Sequence, residues 1–183
     1  MDKVLKIGII GCGGIANGKH MPALKTVEGV EMVAFCDIIE ERATETAKKY
    51  GSADAKIYTD YKELLKDESI VAVHVCTPNR SHSFITIDAL EAGKHVLCEK
   101  PLALTKEDVA EIVQAAKKSN RVFMVGQICR FTPAFVLAKQ LVEEGKIGEL
   151  YFVESEYAHD YKKIVSGVQN WRADPLRHIL IGG

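Results

Sequence analysis

Short runs of apolar residues alternate along the chain with segments in which apolar residues recur every three or four positions. The runs are nearly continuous, which is typical of strands buried on both faces of a parallel sheet. The segments between them have the spacing of amphipathic helices. The pattern predicts strands over residues 4–10, 30–36, 70–76, 95–98 and 122–125.

Turn and capping residues divide the helical segments. Gly18 and Pro22 interrupt the first of them, so we expect a short helix, a break and a second short helix that begins near Pro22. The other predicted helices are marked by capping residues at their starts (Asp60 with Glu63, Ser81, Thr105 with Asp108) or by a closing glycine (Gly51, Gly145). A strand followed by a helix, repeated about five times, predicts an α/β fold with a doubly wound parallel sheet.

The pattern changes after residue 148. Over residues 150–158 polar and apolar residues alternate, as they do in a strand with one solvated face. We therefore expect a second, antiparallel layer to begin there.

Length and charge narrow the possible functions. The 183 residues allow one domain and part of another. The 24 lysines and arginines balance 25 acidic residues, which argues against a strongly basic protein that binds nucleic acid or a membrane surface. The sequence contains no run of about 18 apolar residues that could span a membrane. Met1-Asp2-Lys3 leads straight into an apolar strand, so we expect no signal peptide and a cytoplasmic protein.

Five cysteines stand apart from one another, and none forms a Cys-x-x-Cys pair. No Cys and His spacing fits a zinc site. We therefore expect reduced thiols that pack in the interior, and no metal.

A glycine-rich turn follows the first predicted strand and opens a helical segment. Its sequence, from Gly11 to Ala16, has the form Gly-x-Gly-x-x-Ala. Gly11 allows a tight turn and Gly13 allows close approach of a pyrophosphate, while Ala16 lets the helix pack against the strand. The free N–H groups of the helix start, which include those of Gly14 and Ile15, attract phosphate. The other interpretation is a tight turn with no ligand.

An acidic residue ends the second strand at the position expected for a dinucleotide site. Asp37 lies 21 residues beyond Ala16, where a carboxylate can accept hydrogen bonds from the adenosine ribose. The same charge would repel a 2′-phosphate, and no Arg or Lys directly follows Asp37. The residues therefore favour NAD over NADP.

With these motifs in place, the chain resembles the glucose–fructose oxidoreductase / inositol dehydrogenase family. The resemblance rests on the glycine turn, Asp37 and several further stretches: residues 75–79 with His82, residues 91–102 (EAGKHVLCEKPL), Gly126-Gln127 with Arg130-Phe131, and Trp171-Arg172. It implies a Rossmann domain over residues 1–125 and an incomplete first part of an α+β substrate domain over residues 126–183. It also implies a small sugar or polyol substrate and a homo-oligomer. Because members of the family are about twice as long, the chain is expected to be a fragment that binds NAD without full activity.

Lys100 is the strongest candidate for catalysis. It follows a predicted strand at the carboxyl edge of the sheet, where open α/β sheets bind ligands. A lysine near the nicotinamide can hydrogen-bond a substrate hydroxyl and help to remove its proton. The resemblance gives Lys100 this role, and Lys100 is also expected to contact the cofactor. From the residues alone, a surface lysine paired with Glu99 is equally possible.

Other residues are expected to bind the cofactor, each with an alternative role. Glu99 contacts the ribose or orients Lys100, His82 contacts the nicotinamide side or is structural, and Thr77-Pro78-Asn79 contacts the cofactor or is an ordinary turn. By resemblance Gln127 lines the nicotinamide pocket, and Trp171 with Arg172 reaches back to the cofactor, although Trp171 could be a packing anchor. His20, His74 and His95 receive no functional assignment.

The predicted function is an NAD-dependent dehydrogenase that moves hydride between a sugar, inositol or related polyol hydroxyl and nicotinamide. Two alternatives from the same fold remain. One is a non-catalytic regulator that senses NAD(P), and the other is a glycoside hydrolase that uses bound NAD. The Gly-x-His-x-x-Asp-like motif of the family's substrate domain is absent from this sequence.

Overall fold

The computed structural model describes residues 4–156, 158 and 160. It contains strands β1 (Leu5–Ile10), β2 (Val30–Cys36), β3 (Lys56–Tyr58), β4 (Ala72–Val75), β5 (His95–Cys98) and β6 (Phe123–Val125). Its α-helices are α1 (Met21–Leu24), α2 (Glu40–Tyr50), α3 (Tyr61–Leu65), α4 (His82–Glu91), α5 (Lys106–Ser119) and α6 (Pro133–Glu143). A π-helical turn covers Ala16–His20, and 3₁₀ turns cover Asn79–Ser81 and Ile128–Phe131.

The six strands form one parallel sheet in the order β3-β2-β1-β4-β5-β6. The chain winds outward from β1 in one direction and then from β4 in the other. The order reverses between β1 and β4, which is the point where such sheets bind ligands beyond their carboxyl ends. The predicted doubly wound parallel α/β fold is therefore confirmed.

The carboxyl ends of the strands meet in one row. Pairing aligns Tyr58, Cys36, Ile10, Val75, Cys98 and Val125 across the whole sheet. The residues that follow this row in each strand therefore lie side by side at one edge. They include Gly11, Asp37, Glu99 and Gly126.

Helices cover both faces of the sheet. On one face, Ile7 and Ile9 of β1 pack in a buried cluster with Met21 of α1 and with Ala43 and Ala47 of α2. On the other face, residues of β1, β2, β4 and β5 pack with α3, α4 and α5, whose buried side chains there include Leu64, Ile85 and Leu90. Burial of both faces explains why the strands are nearly continuous apolar runs.

The predicted break before Pro22 does not occur. The helix runs on through a π-helical turn, in which the Met21 amide donates to the Ala16 carbonyl five residues back. Pro22 has no N–H for the carbonyl four residues before it, so a local change of hydrogen-bond spacing accommodates it. His20 thus closes a wide turn directly after the glycine motif.

Three capping predictions have different outcomes. Thr105 Oγ1 accepts from the Asp108 amide at 3.1 Å, as predicted. Asp60 accepts from the Lys62 amide, whereas Glu63 binds the Lys66 side chain. Ser81 occupies the N-cap of α4 without a side-chain capping bond, because its hydroxyl bonds to Thr77 and Pro78.

Two strand predictions also differ from the structure. Strand β3 was not predicted, because it is only three residues long and two of them are exposed at the edge of the sheet. The period-two segment from residue 150 forms no strand within the described residues 150–156. Its expected antiparallel partners are not part of the structure described.

Beyond Gly126 the chain leaves the core. Every residue from 127 to 156 is exposed, including the apolar side chains of α6. Within the part of the chain that the structure describes, no helix is long and apolar enough to cross a membrane. The same part contains no group of three or more His, Cys, Asp or Glu side chains arranged to hold a metal ion.

Candidate functional site

The glycine turn uses two kinds of glycine. Gly11 has φ +92°, and a Cβ there would lie 2.7 Å from the carbonyl carbon of Cys76, so the turn and β4 leave no room for a side chain. Gly13 and Gly14 are different, because a Cβ at either position would meet no atom within 4 Å. The first glycine therefore serves the fold, and the other two leave open space above the start of the helix.

Asp37 is tied to this turn. The Cys12 amide donates to its Oδ2 at 2.9 Å, and the Ile39 amide donates to its Oδ1 at 3.0 Å. The residue is 8% exposed. Each carboxylate oxygen has a further lone pair, so the side chain keeps the capacity to accept ribose hydroxyls.

A groove of about 570 Å³ runs between the glycine turn and α2. Cys12, Gly13, Gly14 and Asn17 line one side, and Arg42, Glu45, Thr46 and Lys49 line the other. Arg42 and Lys49 were not predicted as groove residues, because they do not directly follow Asp37 in the sequence. Their spacing with Thr46, at i, i+4 and i+7, is the signal that places them on one helix face.

The Glu99-Lys100 turn follows β5 at the same sheet edge. Glu99 Oε1 lies 2.7 Å from His20 Nε2, and Glu99 Oε2 accepts from the Lys100 amide at 3.0 Å. Burial acts to raise the pKa of Glu99, but hydrogen bonds from His20 and the Lys100 amide, together with the charges of both residues, hold it below its usual value. The carboxylate is therefore ionised and occupied on both oxygens.

The Lys100 ammonium is exposed and forms no hydrogen bond or ion pair with any described residue. No ion pair within 4 Å joins Lys100 to Glu99, whose carboxylate is held by His20 and by the backbone of Lys100. The Lys100 charge nevertheless helps to lower the pKa of Glu99, so pairing with Glu99 stays the alternative role for this lysine. The peptide bond between Lys100 and Pro101 is cis. An exposed ammonium group at this edge can act on a bound hydroxyl.

The turn after β4 lies beside the Glu99-Lys100 turn. Thr77 Oγ1 accepts from Ser81. Asn79 is only 4% exposed, and its side-chain amide, whose atoms are not fully buried, makes no hydrogen bond to another described residue. His82 is 1% exposed, and its Nε2 and Nδ1 each lie 2.7 Å from a carbonyl oxygen, that of Thr77 and that of Pro101. These contacts favour the structural alternative for His82, which links the two turns, and leave Asn79 free for a ligand.

Gln127 is exposed directly after β6, beside this cluster. A Cβ at its neighbour Gly126 would lie 3.5 Å from Glu99 Oε1, so the end of β6 packs close to the carboxylate. Trp171 and Arg172, the remaining predicted cofactor contacts, lie outside the described residues.

Four of the five cysteines are buried as predicted, whereas Cys129 is exposed because the chain has left the core beyond Gly126. Burial, with a smaller effect of the Asp37 charge, raises the pKa of the Cys12 and Cys36 thiols to about 12. Burial likewise raises the pKa of Cys98 to about 12 and that of Cys76 well above its usual value. Thiols of this kind stay protonated and are poor nucleophiles.

The residues present fit a dinucleotide. Space is open above Gly13 and Gly14, the helix start with Ile15 supplies amide donors, and Asp37 lies beside the turn. The predicted contacts from Thr77 to Asn79 lie further along the same edge, close to Lys100.

Comparison with known proteins agrees with this geometry. A family model described as an oxidoreductase family with an NAD-binding Rossmann fold matches residues 5–127. Inositol 2-dehydrogenase of Salmonella paratyphi B is 36% identical over 154 residues, which are 84% of this chain and 46% of that protein. D-glucoside 3-dehydrogenase of Escherichia coli is 37% identical over 147 residues, 80% of this chain and 41% of that protein.

A solved structure shares the fold. The 3-ketoreductase of Actinomadura kijaniata in complex with TDP-benzene and NADP superposes with a TM-score of 0.71 at 28% identity, covering 79% of this chain and 45% of that one. The chain spans about half the length of the curated relatives it matches. With its family match, sheet order and glycine turn, the chain belongs to the Gfo/Idh/MocA family of NAD-binding Rossmann oxidoreductases.

Proposed function

We propose that the protein is an NAD-dependent dehydrogenase for a hydroxyl of a sugar, inositol or related polyol. The observation that carries this proposal is the exposed Lys100, which follows β5 at the same sheet edge as the glycine turn and forms no side-chain hydrogen bond or ion pair with another described residue. The relatives named inositol 2-dehydrogenase and D-glucoside 3-dehydrogenase support the substrate class. NAD, when bound, supplies the hydride acceptor.

Several residues hold the cofactor in this proposal. The amides at Gly13, Gly14 and Ile15 bind the pyrophosphate, and Asp37 accepts from the adenosine ribose. Asn79 and Gln127 contact the nicotinamide half, and Trp171 with Arg172 is assigned to the cofactor by resemblance. Asp37 favours NAD, while Arg42 and Lys49 in the adjoining groove bring positive charge that makes NADP the competing cofactor to test.

Lys100 acts on the substrate oxygen. As an ammonium group it hydrogen-bonds the hydroxyl oxygen and stabilises negative charge that develops there, and as a neutral amine it accepts the hydroxyl proton. Glu99 holds the Lys100 backbone so that the side chain projects from a fixed turn. The substrate carbon loses its hydrogen with both electrons, and the hydroxyl becomes a carbonyl.

The test has two stages. The 183-residue chain is titrated with NAD and NADP, and NAD is expected to bind more tightly. The complete product of the gene that encodes the chain is then assayed for NADH formation with a panel of polyols and sugars, using wild type, Lys100→Met and Lys100→Arg.

The expected result is loss of turnover in Lys100→Met with little change in NAD affinity, since Lys100 acts on substrate. Oxidation of no panel member would contradict the dehydrogenase proposal and favour the regulator. Bound NAD that cycles without net NADH release during glycoside cleavage would favour the hydrolase. Undiminished turnover in Lys100→Met would remove Lys100 from the chemistry.

A further inference from the structure

Three titratable side chains from separate elements form a continuous chain beneath the Glu99-Lys100 turn. His74 on β4 and His20 at the end of the π-helical turn approach through their Nδ1 atoms at 3.1 Å. His20 Nε2 then meets Glu99 Oε1 at 2.7 Å. His20 and Glu99 lie 79 residues apart in sequence, and their side chains are 11% and 10% exposed.

The contact with the Glu99 carboxylate determines where the His20 ring carries a hydrogen. An ionised carboxylate only accepts hydrogen bonds, so His20 must carry its hydrogen on Nε2 for this contact to form. On the opposite side of the His20 ring, Nδ1 forms a hydrogen bond with Nδ1 of His74, in which one of the two nitrogen atoms donates. The His20 ring is therefore held at both nitrogens.

The carboxylate of Glu99 is held in the same way. Its Oε1 is bound by His20 and its Oε2 by the Lys100 amide, while Gly126 approaches from the neighbouring strand end. With both oxygens occupied, Glu99 fixes the backbone of the residue that follows it. His20 is the one side chain of this set that arrives from the glycine-turn segment.

We propose that His20 is a positioning residue for the dehydrogenase reaction, which holds the Lys100 turn in place through the Glu99 carboxylate. The catalytic part of this proposal rests on the proposed function. The structural part is that His20, which follows the glycine turn, is hydrogen-bonded through Glu99 to the turn that carries Lys100. Neither His20 nor His74 enters the binding motif itself.

Two substitutions separate the contacts of His20. In His20→Gln the side-chain amide nitrogen reaches the place of Nε2 and keeps a donor for Glu99. In His20→Asn the shorter amide reaches only the place of Nδ1 and keeps a group facing His74. Both variants carry a side-chain amide. They differ in which neighbour that amide can reach, Glu99 in His20→Gln and His74 in His20→Asn.

The first measurement does not need activity. Hydrogen exchange of the Lys100 amide, followed by NMR in the 183-residue chain, should become about tenfold faster in His20→Asn, as expected for a loosened charge-assisted hydrogen bond. His20→Gln should stay within about threefold of wild type on the same physical grounds. Unchanged exchange in His20→Asn, or equal acceleration in both variants, would overturn the proposal.

The second measurement is turnover by the complete gene product. His20→Asn is expected to lower kcat about tenfold with the KM for NAD nearly unchanged, and His20→Gln to restore most of kcat. A wild-type protein that oxidises no alcohol would contradict the proposed function. Exchange of the Lys100 amide would still show whether His20 holds the Lys100 turn in place. If neither variant folds, the wild-type imidazole nitrogen spectrum decides, since a His20 ring without hydrogen on Nε2 at neutral pH contradicts the contact.

Discussion

The backbone amide of Cys12 donates a 2.9 Å hydrogen bond to Oδ2 of Asp37, so the acid that ends β2 is built into the glycine turn. This single contact joins the two parts of the sequence that were expected to bind opposite ends of an adenosine diphosphate group. It also means that a change at Asp37 acts on both the fold and the ligand.

Asp37→Asn should weaken NAD binding about tenfold, because a neutral amide is a poorer acceptor for ribose hydroxyls than a carboxylate. NADP should lose less affinity, or gain some, because the repulsion of its 2′-phosphate is removed. Titration of both nucleotides measures the ratio. Asp54→Asn, at an exposed position, is the matched control.

A wild-type chain that prefers NADP would contradict the role given to Asp37. It would direct attention to Arg42 and Lys49, which line the groove beside the turn. Thermal unfolding of Asp37→Asn should be run in parallel, since an amide nitrogen placed at Oδ2 could no longer accept from Cys12.

The two kinds of glycine in the turn predict opposite effects. Gly11→Ala should lower the free energy of unfolding by more than about 2 kcal/mol, because φ is positive and the new Cβ would lie 2.7 Å from Cys76. Gly13→Ala should leave stability within about 1 kcal/mol, since the Cβ enters open space, but should weaken NAD binding about tenfold by blocking the approach of the pyrophosphate.

Gly18→Ala is the control for this pair, because its Cβ also meets nothing within 4 Å and it lies past the phosphate position. Denaturant unfolding and NAD titration together separate the outcomes. NAD affinity that is unchanged in Gly13→Ala would mean that the turn holds no pyrophosphate.

His82→Leu distinguishes the two roles left open by the sequence. If His82 links the turns, the variant removes the ring that donates to at least one of the Thr77 and Pro101 carbonyls, and it should lower the free energy of unfolding by about 1–3 kcal/mol. If His82 contacts the nicotinamide, NAD affinity should fall with stability nearly unchanged. Unfolding in urea and NAD titration on the same samples give the answer.

Local patterns predicted the parts of the fold that depend on burial. Strand β2 runs over residues 30–36 as predicted, because both its faces are covered and its sequence is apolar apart from Glu31. Strand β3 was missed since an exposed edge strand of three residues carries no such signal. The π-helical turn before Pro22 was read as a break, because the sequence shows the missing donor but not how the backbone replaces it.

The candidate site divides in the same way. The glycine turn, Asp37 and Lys100 lie next to strand ends, so the order of strands was enough to bring them to one edge. The partner of Glu99 could not be foreseen, since His20 arrives from a segment 79 residues earlier. The contact of His82 with the Pro101 carbonyl is also long-range, and the sequence could not predict it. The sequence showed only that His82 lies in the first turn of a helix.

His74 predicts a specific pH dependence of stability. Burial, aided by the nearby His20, lowers the pKa of His74 to about 4 from 6.5. Between these values the unfolded chain binds a proton at His74 and the folded chain does not, so the free energy of unfolding falls as the pH is lowered. The expected loss from this group is on the order of 3 kcal/mol, complete near pH 4.

His74→Gln removes the titrating group from this position. Urea unfolding at pH 7 and near pH 4 should therefore show a loss of stability in wild type that exceeds the loss in the variant by about 3 kcal/mol. Comparison of the two losses cancels the shared effects of other groups, including Glu99, whose lowered pKa adds a further loss at acidic pH in both proteins. Equal losses in both proteins would show that His74 takes up its proton as readily in the folded chain as in the unfolded one, and that burial beside His20 does not keep its ring neutral.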